Sequence, residues 1–596
     1  MTSTLFTARS PRPLAGATRL AATAMGGTRL AATVLALALA ATANAQPKTG
    51  GTIAVGLAQD PAIVDPIRTG TFTERQLSTP VYEGLFDIDP KGQAVPLLAE
   101  SYTVSDDLKT WRMKLRPGVK FHDGTPFDAA AVIANLDRTS NPANRCRCLT
   151  TMSLFQGWKA LDPMTVEITL KAPNAAMPTI LADAPGIMVS PTAFKADPQG
   201  IGVKPVGTGP FKFVEWVRNS RFVVERNPDY WQKGKPYLDR VVFRGMQNIE
   251  TREAAFKSGQ TDIIMQPTLH FVSTMKNDRR HDVYSPAGFG TEGVYMNLKK
   301  PPLDDMRVRR AVAHAMDREL INRTLGFGVS TLAYSPFGKG MSMIQQPVAE
   351  YPKFDLAKAQ ALVKEYGKPV EFTLSYNNTP STRHLAQSLQ EMWAKAGIKV
   401  QLEAFDQNRL VQNMSSKQFE ASIYRFTGRA DPHVNAFTFF HSRFADINPS
   451  QNYGGYVSKR ADELLEQGMA TADPAKRAAI YSEFARVLNQ EVLPYAYLFN
   501  VTDTIVAKKH VKGLTVVPDG LLRFALGFLN HAFGAQIVIA GGLAKRLFGV
   551  ADGFVGEALD LVGAAAHREL LRFGYKSGAR GRCAVSAHGT EVGTDA

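Results

Sequence analysis

The residues whose spacing could support covalent chemistry form incomplete sets. Ser273-Thr-Met-Lys276 has the Ser-x-x-Lys spacing in which a lysine activates a serine nucleophile. Its usual Lys-Thr-Gly partner, here Lys48-Thr-Gly50, lies upstream in the wrong order, and neither Ser-Asp-Asn nor Gly-x-Ser-x-Gly occurs. A nucleophile without a base and an orienting group is not activated. The sequence therefore predicts that the protein is not an enzyme, and a secreted hydrolase is the weakest alternative.

Residues that could ligate a metal are also sparse. The chain has three cysteines and eleven histidines, and the histidines have no paired ligand spacing. Cys146-Arg-Cys148 supplies only half of a plausible metal site. We therefore expect no metal and no other cofactor, and we interpret the cysteines as incidental.

The elements that must position a binding site alternate between strands and helices. Residues 109–116 alternate apolar and basic side chains, which predicts a half-buried strand. Asp128 is placed to cap a helix over 129–138. Apolar residues spaced by four predict one continuous helix from Asp304 to Leu325.

The clearest unit of the predicted fold lies between Val370 and Phe426. Its strands and helices follow a β-α-β-α-β order, which indicates a mostly parallel sheet covered by helices. Such sheets bind ligands beyond the carboxyl ends of their strands. The expected binding site is therefore formed by the loop 377–383 and the stretch after Tyr424.

Length and charge limit the classes of protein that the chain can represent. With 596 residues the chain exceeds what one hydrophobic core supports, so two or more lobes are expected. The formal net charge is +15, but no run of five or six like charges occurs. Because nucleic-acid binding needs a basic stripe with a motif, we expect no nucleic-acid partner. The charge is consistent with solubility and with a bias towards an anionic ligand.

The first 45 residues have the pattern of an export signal. Arginines without acidic residues precede an apolar run from Leu30 to Ala41, and Ala43-Asn44-Ala45 supplies small residues for cleavage. The run is shorter than the roughly 20 residues that span a bilayer. No cysteine lies at the cut, so a lipid anchor is not expected there. The sequence predicts a signal peptide over 1–45 and a periplasmic protein.

Four segments, in unbroken order between about residues 50 and 524, resemble a known family. That family is the extracellular solute-binding proteins of the dipeptide, oligopeptide and nickel ABC importers. The segments are Leu115-Arg-Pro-Gly-Val-Lys-Phe-His-Asp-Gly-Thr-Pro-Phe127, Pro205-Val-Gly-Thr-Gly-Pro-Phe211, Asn227-Pro-Asp-Tyr-Trp231 and Pro302-Leu-Asp-Asp-Met-Arg-Val-Arg-Arg-Ala-Val-Ala-His-Ala-Met-Asp-Arg318.

The resemblance implies an α/β, periplasmic-binding-protein-like fold with two α/β lobes joined by a hinge plus a smaller inserted domain. Domain I is expected from 46–86, 206–290 and 500–524, domain II from 87–205, and domain III from 291–499. The resemblance also implies a monomer that delivers a small peptide-like or anionic ligand to ABC transporter permease subunits. Residues 525–596 follow the region of likeness, either as a fused or frame-shifted extension or as a packing or docking element.

Peptide-binding members of this family hold the ligand amine with an acidic side chain and often hold its carboxylate with an arginine. Aligned on Asp431-Pro432, the amine-binding aspartate corresponds to Gly428. This departure argues against a standard free-amine peptide. Two roles remain open for Asp431: substitution for the aspartate, or capping of the following helix.

Arginines near the predicted strand ends are the candidates for a ligand carboxylate. Arg429 follows a predicted parallel strand, and Arg383 begins a helix beside the same strand ends. Arg425, Thr73 and Phe289 are the remaining candidate ligand contacts.

The alternative within the family is a carrier of a nickel-type metal chelate. His433 and His441 flank the loop that carries Arg429. We interpret both as surface or helix histidines rather than ligands.

Overall fold

The computed structural model describes residues 50–524, apart from 342–343, 345–347 and 349–350. The predicted signal peptide over 1–45 and the extension over 525–596 therefore lie outside the described residues. Within the described chain, no helix has the length and apolar character that crossing a membrane requires.

The strands are short and most belong to three sheets. Numbered β1 to β22 in chain order, they are Thr52–Leu57, Glu83–Gly84, Phe86–Ile88, Ala94–Pro96, Ala99–Val104, Thr110–Leu115, Phe155–Asp162, Thr165–Leu170, Ile187–Met188, Phe211–Val217, Arg221–Arg226, Arg240–Gly245, Ile263–Met265, His281–Tyr284, Ala287–Met296, Val370–Asn377, Ile398–Phe405, Ala421–Arg425, Tyr495–Thr502, Ile505–Lys508, Thr515–Val516 and Leu522–Arg523.

The α-helices cover these sheets. Numbered α1 to α15 in chain order, they are Phe72–Ser78, Ala129–Ser140, Leu149–Met152, Met177–Ile180, Pro191–Ala196, Ile249–Ser258, Leu269–Lys276, Met306–His314, Arg318–Thr324, Leu356–Tyr366, Pro380–Lys395, Gln407–Ser415, Pro432–Phe440, Lys459–Met469 and Pro474–Val487.

A seven-stranded sheet with the order β10-β11-β12-β1-β13-β20-β14 forms the first lobe. Strand β1 lies parallel to both β12 and β13. Strand β20 is antiparallel to β13 on one side and to β14 on the other. The sheet therefore combines strands from the beginning, the middle and the end of the described chain.

A five-stranded sheet with the order β17-β16-β18-β15-β19 forms the second lobe. Strand β16 is parallel to β17 and β18, which confirms the predicted β-α-β-α-β unit. Strands β15 and β19 run antiparallel to their neighbours and lie at the connection to the first lobe. The mixed α/β fold class is thus confirmed.

A four-stranded antiparallel sheet, β5-β6-β8-β7, forms a smaller lobe that we call the inserted lobe. In β6 the side chains of Trp111, Met113 and Leu115 are buried and the intervening ones are exposed, as the alternation predicts. Asp128 caps α2 by accepting a hydrogen bond from the amide of Ala131. Both local predictions are confirmed.

The predicted continuous helix over 304–325 is wrong, because the chain breaks into α8 and α9. Helix α8 ends at His314, and the Asp317 carboxylate accepts a hydrogen bond from the amide of Leu320 to begin α9. An aspartate that bonds the free amides of a new helix competes with continuation of the preceding one.

The inserted lobe contacts both other lobes, and Arg138 of α2 forms a buried ion pair with Asp65, between β1 and α1 of the first lobe. The amide of Ala175 donates to the carbonyl of Met469 in the second lobe at 2.9 Å. Ile88 joins the hydrophobic core of the second lobe, and Val434 packs against the core of the inserted lobe. Cys146 and Cys148 form a disulfide within the inserted lobe. The three lobes therefore meet around a common cleft.

Candidate functional site

The larger cavity of this cleft lies between the first lobe and the inserted lobe. It is partly open to solvent. Helix α1 forms one wall, the segment around Asp183 forms another, and the hairpin that ends at Phe524 forms a third. Clefts between lobes are common positions for small-ligand sites.

A smaller cavity of about 310 Å³ extends this space towards the second lobe. The two cavities share four lining residues, namely Arg75, Ala182, Asp183 and Asp519. The second lobe and the connecting strand β15 contribute Phe289, Gly428, Arg429 and Ala430 to the smaller one. The cavities therefore form one continuous site to which all three lobes contribute.

An ion pair crosses the site between the second lobe and the inserted lobe. Nε of Arg429 donates to Oδ2 of Asp183 at 2.5 Å, and the backbone amide of Arg429 donates to Asn435. Burial alone would raise the pKa of Asp183, but the positive charges of Arg429 and Arg75 outweigh it and hold that pKa well below its ordinary value. The carboxylate is therefore ionised, and the Arg429 guanidinium already has a protein partner.

The other predicted contacts are not all brought to this site. Phe289 lines the smaller cavity, whereas Thr73 is buried in α1 and lines neither cavity. Arg425 pairs with Asp503 at 2.9 Å, and exposed Arg383 donates to Asn378 at 2.7 Å. Among the six predicted contacts, only Phe289 and Arg429 line the cavities.

Asp431 has a structural environment away from the cavities. Its carboxylate caps α13 through the amide of His433 and forms a two-bond ion pair with Arg477, in which Nη2 lies 2.8 Å from Oδ1. Both partners are buried. Of the two roles that the sequence leaves open, the structure shows the helix cap, and we do not propose Asp431 as a ligand contact.

Gly428 has no room for the side chain that peptide-binding relatives place at this position. Its φ is +77°, and a Cβ built there would lie 2.6 Å from the backbone nitrogen of Gly290. A contact that short with backbone cannot be relieved by rotating a side chain. The site therefore has no acidic group at the position aligned with the amine-binding aspartate.

We expect Gly428→Ala to lower the free energy of unfolding by at least about 2 kcal/mol, because left-handed strain adds to this backbone clash. Chemical denaturation measures the change. Gly118→Ala is a matched control, because Gly118 has a φ of +75° and nothing within 4 Å of a built Cβ. Equal losses in the two variants would contradict the clash.

The sequence did not reveal Arg75, Asp183 and Asp519 as members of the site. They come from α1, from the inserted lobe and from the end of the described chain, so no local spacing connects them. The one local signal was the Thr71 and Glu74 capping box, which fixes the start of α1 and hence the direction of Arg75.

A buried carboxylate with neutral donors forms part of the larger cavity. Glu83 accepts hydrogen bonds from Tyr230 at 2.6 Å, from Trp231 at 3.0 Å and from Thr208 at 3.0 Å. Burial raises the pKa of Glu83 to about 7, although these donors act in the opposite direction. This group therefore changes its charge near neutral pH.

The two histidines considered for a metal chelate have protein partners. Burial lowers the pKa of His433 to about 3, and its Nδ1 lies 3.1 Å from the Tyr481 hydroxyl. Nε2 of His441 lies 3.3 Å from Glu466. Within the described residues, no three metal-ligating side chains come together.

Comparison with known proteins identifies relatives of this chain. Glutathione-binding protein GsiB from Pectobacterium atrosepticum is 31% identical over 473 residues, which cover 77% of this chain and 91% of GsiB. GsiB from Escherichia coli K12 is 31% identical over 483 residues, which cover 78% of this chain and 92% of that protein.

Solved structures show the same fold. The binding protein AgaA from A. tumefaciens, in complex with agropinic acid, has 27% identity and a TM-score of 0.68, covering 81% of this chain and all of AgaA. DppA from Helicobacter pylori, in complex with the peptide STSA, has 24% identity and a TM-score of 0.70, covering 81% of this chain and 98% of DppA.

The sequence profile of the bacterial extracellular solute-binding proteins, family 5 (middle region), matches residues 93–446. This match spans more than half of the chain and agrees with relatives that align over most of their own length. The chain therefore belongs to the family 5 extracellular solute-binding proteins, the components that bind the solute for ABC importers.

Proposed function

We propose that this protein captures a small peptide-like or carboxylate-bearing solute in the periplasm and presents it to the permease subunits of an ABC importer. The observation that carries this proposal is the continuous site to which three lobes contribute. A ligand that contacts several lobes favours the arrangement in which they are close together, because its binding free energy differs between the open and closed states. Binding is thereby coupled to closure.

The relatives support the chemical class of the solute. GsiB proteins are named for glutathione, a small peptide, and AgaA was solved with agropinic acid. Three arginines line the site, of which Arg429 and Arg523 pair with lining aspartates and Arg75 does not. Guanidinium groups hold carboxylates through paired hydrogen bonds. A carboxylate-bearing solute is therefore the best match to the lining.

We further propose that the protein acts as a monomer, binds no nucleic acid and changes no covalent bond of its solute. An importer needs release as much as capture. A dissociation constant near 1 µM corresponds to about −8 kcal/mol, which is sufficient to favour closure and still permits transfer. Neither step needs a nucleophile or a general base.

A binding screen on the full mature chain tests this proposal. Isothermal titration would use glutathione, a mixture of dipeptides, and nickel with histidine as the metal-chelate alternative. We expect binding in the micromolar range or tighter by glutathione or the dipeptides, a decrease in the radius of gyration by X-ray scattering, and recovery of the unchanged ligand. Turnover of the ligand, or tight binding of the nickel chelate alone, would contradict the proposal.

A further inference from the structure

Arg75 occupies a central position in the binding site. It is half-buried on α1 and lines both the larger and the smaller cavity. Within the described part of the chain, its guanidinium makes no hydrogen bond and no ion pair. Burial, followed by the neighbouring charge of Arg429, lowers the pKa of Arg75. The carboxylates of Asp183 and Asp519 act in the opposite direction, but neither forms a hydrogen bond with the Arg75 guanidinium.

The carboxylates around Arg75 all have donors of their own. Asp183 accepts from Arg429 and from the amide of Ala184. Arg523 donates to Asp519 at 2.8 Å and to Asp87 at 3.0 Å. The fourth carboxylate, Glu83, has the tyrosine, tryptophan and threonine donors described above. Among the described charged residues that line the cavities, Arg75 is therefore the one whose charged group makes no hydrogen bond or ion pair with the protein.

The bonds made by the lining carboxylates also affect how a ligand amine could be recognised. An ammonium group donates hydrogen bonds and is held best by a carboxylate whose oxygens are not already bonded to protein donors. The lining carboxylates are engaged by protein donors, and the backbone contact of Gly428 excludes a side chain at that position. The lining thus offers an unbonded group for an anion, whereas each lining carboxylate already bonds a protein donor.

We propose that Arg75 binds a carboxylate of the solute, and that a free amine on the solute contributes nothing to its recognition. This inference rests on the proposed function, which supplies the cleft in which the solute is held. It names the solute class as carboxylic acids, including those whose nitrogen is acylated or substituted. The planar fork of Arg75 can donate two parallel hydrogen bonds to such a carboxylate.

Three matched probe mixtures separate the two parts of this inference. They are dipeptides with both termini free, the same dipeptides N-acetylated, and the N-acetylated dipeptides with amidated carboxyl ends. Thermal shift of the full mature chain ranks the mixtures, and titration gives the affinity of the strongest binder from each. We expect the acetylated acids to bind as well as the free dipeptides. We expect the amides to bind at least about 30-fold more weakly, because the charged contact is lost.

Substitutions assign the effect to Arg75. We expect Arg75→Gln to weaken binding of the acids by at least about 30-fold and Arg75→Lys to retain part of the affinity, because lysine keeps the charge but loses the fork. Arg75→Lys keeps the positive charge near Asp183 and should leave the melting temperature of the protein without ligand unchanged. Arg75→Gln should lower it only slightly, since Arg75 makes no hydrogen bond or ion pair that the change would remove. Arg68→Gln is the matched control, because Arg68 lies on the same segment but lines neither cavity. Its affinity should equal that of the unmodified protein.

The outcomes distinguish this inference from the proposed function. Equal binding of acids and amides, loss of binding on acetylation, or full affinity in Arg75→Gln would overturn the inference and leave a solute-binding protein. Absence of binding by all three mixtures and by glutathione would overturn the peptide-like solute of the proposed function, and the inference with it.

Discussion

Asp431→Asn is expected to lower the free energy of unfolding by about 3–5 kcal/mol, because it leaves the buried Arg477 guanidinium without a counter-charge. Asparagine is as good a helix cap as aspartate, so the cap on α13 is retained and the change isolates the ion pair. Denaturation in urea, followed by fluorescence, measures the loss.

Two further variants control this result. Glu463→Gln removes an ion pair of similar type on the surface, where Arg460 and Glu463 are both more than 40% exposed. We expect less than about 1 kcal/mol from that change. Combining Asp431→Asn with Arg477→Met removes the unpaired charge and should recover much of the loss. If Asp431→Asn kept full stability and lost solute binding, Asp431 would belong to the ligand site after all.

The contribution of the Glu83 carboxyl to the stability of the protein is expected to fall between about pH 4.5 and pH 7. The folded pKa of Glu83 is raised to about 7 from an ordinary value of 4.5, so in this window the folded state keeps a proton that the unfolded state releases. Because the folded state binds more protons than the unfolded state in this window, the free energy of unfolding falls as the pH rises. The expected loss from this group is about 3 kcal/mol, complete above pH 7. The buried imidazoles of His433 and His122 act in the opposite direction, because burial lowers their pKa values to about 3 and about 4.

Glu83→Gln is expected to remove this pH-dependent loss. Glutamine resembles the protonated acid, and its amide group can donate to the Tyr230 hydroxyl while its oxygen accepts from Trp231 and Thr208. The melting temperature of the variant, measured relative to that of the unmodified protein, should therefore be higher at pH 8 than at pH 4.5. Glu100→Gln alters an exposed carboxylate 3.6 Å from Lys114 and serves as the control. An identical pH dependence in all three proteins would contradict the buried proton.

Local patterns in the sequence predicted local structure well. The alternation in β6 and the cap at Asp128 depend on neighbours within a few residues, and both are confirmed. The break between α8 and α9 was missed because the apolar spacing continues through Asp317, whereas its carboxylate bonds the next helix. Periodicity detects a buried face but does not detect competition from a side chain.

The binding site was only partly predictable for a different reason. The general rule for open sheets pointed to the loop after β18, and Arg429 does line the smaller cavity. The rule could not indicate that Arg429 already forms an ion pair with Asp183 of the inserted lobe. The arginine that lacks a partner is determined by contacts between distant segments. These contacts cannot be predicted from a single sequence.

The strand order of the first lobe means that its sheet can be completed only after the last of its strands has been synthesised. Strand β14 is held in its sheet by β20 alone, and Ile264 of β13 pairs with Val506 near the end of the described chain. Pairings between such distant segments form slowly, because the entropy of closing a long loop is lost before any contact stabilises the pair. During synthesis the first lobe therefore stays incomplete until residues 505–508 have emerged. Until then β13 is the exposed edge of a five-stranded sheet, and β20 must cover that edge before β14 can join.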